Sequence, residues 1–228
     1  MARLTLTSEQ LKALIRVLGD DIVQAHWHWR MFLAIREALR QHPLVAAQSG
    51  TFWGLTLQAH IDACVLRLTR IFDQQADSLH LVQFLQLIQI NLDLFNRKEF
   101  RKRLATNPFV GSLAQTARKP AAKTLSSNIK HCSKRDALVR RLIIIRNVVV
   151  AHRGLTTTLS GQAAPAGSLD ARDVEKLLER AQVVFNRYTR LFDASVQSTM
   201  MVGENDFGYI FKSVQAAVER SRAESQKL

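Results

Sequence analysis

The stretch that decides the fold of this 228-residue chain is an apolar run, broken once by polar residues and closed by a histidine. It reads Leu142-Ile143-Ile144-Ile145-Arg146-Asn147-Val148-Val149-Val150-Ala151-His152-Arg153-Gly154. Burying an unpaired charge is too costly, so the polar side chains in this run must be paired inside the fold or turned toward a partner. The function of Arg146, Asn147 and His152 therefore has to be explained.

Two kinds of secondary structure compete for this stretch. Its β-branched residues favour a buried strand by propensity. The sequence upstream favours a helix, because Ser133-Lys134-Arg135-Asp136 can cap one that carries Leu138, Leu142 and Ile145 on one face. Gly154 is placed to stop such a helix. We therefore predict a helix here.

The helical spacing of the polar residues suggests how they could act together. Arg146 and His152 are six residues apart, which places them roughly 120° apart around the axis and ~9 Å apart along it. An arginine and an imidazole in this arrangement could flank a phosphate that lies over the end of the helix. Asn147, next to Arg146, could orient either group.

The composition indicates an all-α fold. Gly and Pro are few, nine and four, which disfavours a sandwich or barrel of many short strands. The hydrophobic periodicity predicts an antiparallel bundle of six to eight helices. We expect one helical domain over residues 1–228, with a basic loop at 97–131 and a linker at 156–168. Near the N-terminus we expect one helix that ends near Gly19 and a second that ends at His42-Pro43.

The charge of the chain indicates a polyanionic partner. Lys and Arg number 32 against 19 Asp and Glu, a formal net charge of +13. Charge alone does not distinguish RNA from DNA, nor a binding surface from simple solubility. The candidate nucleic-acid contacts are cations of the predicted basic loop, namely Arg97, Lys98, Arg101, Lys102, Arg103, Arg118, Lys119 and Lys123.

Several classes of protein are disfavoured by what the sequence lacks. Cys64 and Cys132 are far apart and form no C-x-x-C pair, so we expect neither a disulfide framework nor a metal site. There is no P-loop or dinucleotide fingerprint, and we expect no cofactor. The N-terminus lacks an apolar signal core and no apolar run approaches eighteen residues. These features favour a cytoplasmic protein that does not bind a membrane.

The segment Arg146-Asn147-Val148-Val149-Val150-Ala151-His152 resembles the signature of the HEPN superfamily, written R-x(4-6)-H with Asn, Asp or His preferred after the Arg. The segment Cys64-Val65-Leu66-Arg67-Leu68-Thr69-Arg70-Ile71-Phe72-Asp73 resembles the long helix ending in Asp that precedes the motif helix in the abortive-infection (AbiU-type) branch. The resemblance implies a HEPN-like helical fold. It also implies Arg146, His152 and Asn147 as catalytic residues, with Asp73 as a carboxylate that could hold the arginine.

The implied activity is metal-independent cleavage of RNA in a defence or toxin–antitoxin setting. RNA carries its own nucleophile, the 2′-OH, so the site needs a base, an acid and a cation for the phosphate. Histidine suits the first two roles near neutral pH and arginine suits the third. One chain offers one Arg146 and one His152, so we expect a composite site in a homodimer. An antitoxin or another defence protein is a further expected partner.

Other interpretations of the same residues remain open. The chain could be a non-catalytic HEPN domain that binds RNA or a nucleotide, or a helical module that binds an acidic protein. The motif could also be a plain helix end, where His152 satisfies the last carbonyls and Arg146 pairs with Asp73 for structural reasons only. Some HEPN toxins carry a Tyr two residues after the His, where nucleotides are transferred by an antitoxin. This chain has Gly154 there, which puts that form of regulation in doubt.

Overall fold

A computed structural model describes residues 4–116, 118–146 and 169–226. Within these ranges all regular structure is helical, which confirms the all-α prediction. The α-helices are α1 Ser8–Gln41, α2 Pro43–Gln48, α3 Gly50–Phe72, α4 Leu81–Ile90, α5 Arg97–Arg103, α6 Val110–Leu113, α7 Ala122–His131, α8 Ala137–Ile145, α9 Ala171–Asp193 and α10 Gly208–Ser225. A 3₁₀ helix, Leu92–Phe95, lies between α4 and α5. The number exceeds the predicted six to eight because helices such as α2 and α6 are very short.

The chain groups into two compact units. Unit 1 comprises Met1–Val23 and Leu66–Ser198, and unit 2 comprises Gln24–Val65 and Thr199–Leu228. Both α1 and α3 contribute residues to each unit. The single domain over residues 1–228 therefore stays a prediction.

The helix α1 is continuous through Gly19, where we predicted a break between two helices. A glycine inside a helix costs only about 1 kcal/mol relative to alanine, too little to end a helix whose neighbouring turns are buried. Leu18 and Ile22 are both buried beside it. A Cβ at position 19 would lie 3.2 Å from Cζ of Phe185. The glycine therefore allows α1 to approach α9 closely and does not stop the helix.

The core of unit 1 is built around α9. This helix buries a stripe at helical spacing that includes Val174, Leu177, Ala181, Phe185 and Tyr188. Its rings pack on those of the preceding helices. The Phe84 and Phe185 ring centroids are 5.8 Å apart, and those of Phe95 and Phe192 are 5.6 Å apart.

The range 97–131, which we predicted as a basic loop, contains α5, α6 and α7, so that prediction is wrong. Asn96 caps α5 by accepting a hydrogen bond from the Glu99 amide at 2.8 Å. Each of the longer helices is then anchored by a buried apolar side chain, Phe100 on α5 and Leu125 on α7. The surrounding residues are mostly exposed and polar, which is why the sequence resembled a loop. The predicted linker at 156–168 lies outside the described residues.

The described part of the motif stretch is helical, as predicted. Asp136 is the N-cap of α8 and accepts hydrogen bonds from the amides of Leu138 at 3.0 Å and Val139 at 3.1 Å. Leu142 and Ile143 are buried along the same helix. Capping and burial on one face thus outweigh the strand propensity of the β-branched residues. Asn147 to Gly154 lie outside the described residues.

Unit 2 is organised around Phe211 of α10, which is buried. Its ring centroid lies 4.8 Å from that of Trp53, 5.6 Å from that of Phe207 and 5.7 Å from that of His42. The helix α10 also packs on α2. In the part of the chain that is described, no helix combines the length and apolar character required to cross a bilayer.

The packing at Gly19 yields a stability prediction. Gly19→Ala should lower the free energy of unfolding by about 1 kcal/mol, because overpacking against the buried Phe185 ring costs roughly 1–3 kcal/mol and helix propensity returns about 1. Gly54→Ala on α3 is the control, since a Cβ there meets nothing within 4 Å. It should be neutral or stabilising. Denaturant unfolding followed by circular dichroism measures both variants, and equal stability for the two would contradict the packing argument.

Candidate active site

Arg146 is held by a carboxylate at the end of another helix. Its backbone continues the helical conformation of α8, and its Nη1 lies 3.0 Å from Oδ1 of Asp73, the residue that follows α3. The two side chains are 22% and 13% exposed, so the pair is partly shielded from water and holds the guanidinium more firmly than a surface pair would. A guanidinium has further N–H donors beyond the one directed at Asp73. The arrangement can therefore orient Arg146 and still present donors to a phosphate.

Asp73 is itself fixed by the backbone. Its Oδ1 also accepts a hydrogen bond from the Gln74 amide at 2.8 Å. A carboxylate that receives a charged and a neutral donor on the same oxygen has little rotational freedom. The sequence analysis proposed that Asp73 could hold Arg146, and the structure brings these two side chains together. Their role in a reaction stays a prediction.

Two ion pairs with α9 hold α8 in place. Arg180 donates to Asp136, the N-cap of α8, at 2.8 Å, and Arg141 of α8 lies 3.0 Å from Asp173. Burial acts to raise the pKa of Asp136, but the hydrogen bond from Arg180 and those from backbone amides outweigh it and lower the pKa. The charged N-cap thus remains ionised, and α8 is tied to α9 through both carboxylates.

A buried histidine lies in the same segment as Asp73 and was missed in the sequence analysis. His80 is the N-cap of α4, and its Nδ1 accepts a hydrogen bond from the Gln83 amide at 3.1 Å. Burial lowers its pKa, while the Asp73 carboxylate and the Gln75 carbonyl act in the opposite direction. His80 is therefore neutral near pH 7 and fixes the segment that carries Asp73. A histidine where Ser, Thr, Asp or Asn is usual was the signal available in the sequence.

The other two predicted catalytic residues, His152 and Asn147, lie outside the described residues. The thiols of Cys64 and Cys132 are unsuited to nucleophilic attack, because burial raises the pKa of each to about 12. Within the described ranges, no group of three or more His, Cys, Asp or Glu side chains could hold a metal ion.

Two of the eight candidate RNA-binding cations turn inward and bind the end of α9. Arg103 donates to the Phe192 carbonyl from Nη2 at 2.8 Å and from Nε at 3.1 Å, and its guanidinium lies 3.9 Å from the centroid of the Phe192 ring. Arg118 is only 8% exposed and donates to the carbonyls of Arg190 and Leu113. Helix carbonyls already occupy these donors, so the structure removes Arg103 and Arg118 from the predicted RNA contacts.

The other six candidates are exposed to solvent, and these are Arg97, Lys98, Arg101, Lys102, Lys119 and Lys123. Arg97 donates to the Gln115 carbonyl at 3.0 Å, which orients it without neutralising its charge. Four of the six lie on the seven-residue helix α5. This concentration of exposed positive charge on one short helix can attract a polyanion.

Comparison with known proteins places this architecture in a family. The family model described as AbiU2, a HEPN family, matches residues 8–210 and so covers α1 to the first turn of α10. Among curated proteins and among solved structures, nothing matches the chain. The matched range contains both Asp73 and Arg146 and spans most of the chain. The chain therefore belongs to the AbiU2 family of HEPN proteins, which is associated with abortive infection.

Proposed function

We propose that this protein is a metal-independent endoribonuclease of a defence or toxin–antitoxin type. The observation that carries the proposal is the ion pair between Arg146 and Asp73, which fixes a cation at the described end of α8. A fixed guanidinium is what a phosphodiester needs when negative charge accumulates on its oxygens. The membership of the AbiU2 family supports the defence setting.

The roles follow from the chemistry of RNA. His152 takes the proton from the 2′-OH or gives one to the departing 5′-oxygen, since imidazole exchanges protons near neutral pH. Arg146 stabilises the charge on the phosphate, and Asn147 orients one of these groups. The nucleophile belongs to the substrate, so no metal-bound water is required. The expected product ends are a 2′,3′-cyclic phosphate and a 5′-hydroxyl.

We further propose that two chains form one site. The reaction calls for a base, an acid and charge neutralisation at a single phosphate, while one chain supplies one His152 and one Arg146. A twofold interface brings the same residues to the site from both copies. Ile144 and Ile145, at the described end of α8, are 38% exposed and half-buried respectively, and could contribute apolar area to such a contact.

The first test of the proposal is cleavage by the purified protein in EDTA. Wild-type protein should cut single-stranded RNA but not DNA, and either Arg146→Ala or His152→Ala should reduce the rate at least about 100-fold, as expected for loss of a charge-stabilising group or a general acid–base. Arg140→Ala is the matched control, because Arg140 is an exposed cation on the same helix and should leave the rate unchanged. Sedimentation should give twice the 25.8 kDa chain mass.

Each alternative gives a different result in this assay. RNA affinity that falls with salt, without cleavage, would indicate a non-catalytic HEPN domain. Binding of neither RNA nor nucleotide would favour a helical interaction module. Activity lost in EDTA and restored by Mg²⁺ would overturn the metal-independent mechanism, and a monomer that cleaves would overturn the composite site.

The contact between Arg146 and Asp73 gives a second prediction. Asp73→Asn keeps an oxygen acceptor but removes the charge that holds Arg146. Hydrogen bonds to charged groups contribute about 1.5–3 kcal/mol, which corresponds to a roughly 10- to 100-fold lower kcat. KM should change little, because Asp73 makes no contact with RNA in the proposed mechanism. An unchanged kcat would show that the pair is structural only.

The exposed face of α5 gives a third prediction. Replacing Arg97, Lys98, Arg101 and Lys102 by Gln should lower the slope of log affinity against log salt by about 0.7 for each RNA phosphate that these side chains neutralise in the wild-type complex. Arg103→Gln is the contrasting variant, since it should lower the melting temperature and leave the slope unchanged. Fluorescence anisotropy with labelled RNA measures the slope. If the fourfold variant keeps the wild-type slope, α5 does not contact RNA.

A further inference from the structure

A cleft lies between α4, α7 and the turn that leads into α8, outside the residues assigned to catalysis. Its volume is about 380 Å³, which falls within the ~300–1,000 Å³ typical of small-molecule sites. Its wall includes Gln74, which directly follows Asp73. Since consecutive Cα atoms are about 3.8 Å apart, the cleft begins one residue from the carboxylate that binds Arg146.

The rim of the cleft is cationic. Lys130, Lys134 and Arg135 line it and are exposed, and among the described residues none of them forms an ion pair. None of the described residues that line the cleft carries a carboxylate. Asp136, the nearest acidic residue in sequence, is already paired with Arg180. Three cations without a carboxylate to neutralise them favour a phosphate-bearing ligand.

The floor of the cleft has a different character. Val82 is 6% exposed and Ile129 is half-buried, so together they offer an apolar surface. The polar residues Gln74, Gln86, Ser126 and Ser133 also line the cleft. Amides can donate to and accept from the edge of a nucleobase. An apolar floor with amide groups and a cationic rim matches a base joined to a phosphate.

One buried polar atom beside the cleft lacks a partner. The side-chain nitrogen of Gln74 is buried and has no hydrogen-bond partner among the described residues. Its oxygen accepts a hydrogen bond from the Lys134 amide at 3.2 Å, which fixes which end of the amide is the nitrogen. An unmade hydrogen bond on a buried donor is costly. A carbonyl or ring nitrogen of a base can satisfy it if the Gln74 side chain turns toward the cleft.

We propose that this cleft binds one nucleotide unit of the RNA strand whose phosphate Arg146 binds in the proposed reaction. The inference rests on the proposed function for its substrate class. Gln74 of the cleft directly follows Asp73 in the chain, so a strand that leaves the cleft along these residues can bring one of its next phosphates to Arg146. Binding in the cleft thus selects which phosphate is presented to Arg146, and the cleft requires single-stranded RNA because a paired base could not enter it.

The test uses an RNA analogue that cannot be cut. A fluorescein-labelled 2′-O-methyl hexanucleotide lacks the nucleophile, so its Kd reports binding whether or not the protein is a nuclease. Ser126→Trp fills the cleft with an indole and should raise this Kd about tenfold. Ser127→Trp is the matched control, because Ser127 is the next exposed residue of α7 and does not line the cleft. Its Kd should stay within about twofold of wild type.

A second variant covers the case in which the tryptophan disturbs folding. Replacing Lys130, Lys134 and Arg135 by Gln should also raise the Kd about tenfold and lower the salt slope. The control replaces Arg16, Arg172 and Lys176, which are exposed cations of unit 1 away from the cleft. Equal effects of the two triple variants would overturn the cleft as a specific site. Circular dichroism confirms that each variant is folded.

Competition distinguishes the possible ligands. Nucleoside monophosphates should displace the hexanucleotide from wild-type protein more effectively than inorganic phosphate does, and Ser126→Trp should remove this difference. Equal competition by phosphate would overturn the nucleotide in favour of a plain anion. Monophosphate binding that Ser126→Trp abolishes, with an unchanged hexanucleotide Kd, would indicate a free nucleotide as the ligand and overturn the RNA strand. RNA cleavage with a wild-type Kd and KM in Ser126→Trp would overturn the cleft and leave the proposed nuclease intact.

Discussion

The rest of unit 1 depends on the stability of α9, and both ends of that helix are held by side chains from elsewhere in the sequence. At its N-terminus Asp170 and Asp173 form a capping box, and Asp173 also pairs with Arg141 of α8. At its C-terminus the last carbonyls carry partial negative charge and accept hydrogen bonds from Arg103 and Arg118. The same helix supplies the buried face of the core. The capping of α9, the packing of the core and the position of α8 therefore all depend on the same helix.

The inward arginines explain why counting charge overestimates the binding surface. Arg103 and Arg118 each combine hydrogen bonds to carbonyls with a guanidinium placed over a ring, on Phe192 at 3.9 Å and Phe100 at 4.0 Å. A planar guanidinium can do both at once, whereas an ammonium cannot donate in a fixed plane while its body stacks. The sequence alone does not distinguish such an arginine from an exposed one that can bind a phosphate. The net charge of +13 therefore sets an upper limit on the surface charge available to RNA.

Features that depend on neighbouring residues could be predicted from the sequence, whereas most features that depend on contacts between distant residues could not. The start of α8 could be predicted to within about one turn, because the stretch Ser133 to Asp136 contains its N-cap, Asp136, and the apolar spacing follows directly. The proximity of Asp73 to Arg146 came from the family resemblance, since no periodicity links residues 73 positions apart. The break at Gly19 was predicted wrongly. The glycine is required by the ring of Phe185, which lies on α9 and is far from Gly19 in sequence. The helices α5 and α7 of the range 97–131 were missed because each is anchored by a single buried apolar residue, Phe100 or Leu125. A helical hydrophobic pattern can be recognised only when several apolar residues recur at helical spacing.

In the proposed mechanism, the charges around α8 divide between binding of the RNA strand and stabilisation of the transition state. Arg146 is paired with Asp73 in the structure without substrate, so in this mechanism part of its attraction for RNA is offset and it contributes little to binding the ground state. The cations of the cleft, including Lys134 and Arg135, have no such partner among the described residues and can bind the strand at full charge. As negative charge grows on the phosphate during the reaction, a guanidinium already oriented by a carboxylate gains interaction energy without first having to be positioned. Binding energy that appears only at that stage raises kcat, whereas equal binding of substrate and transition state does not. In the proposed mechanism, therefore, strand affinity comes from the cleft and α5, and the rate comes from the one cation that is paired.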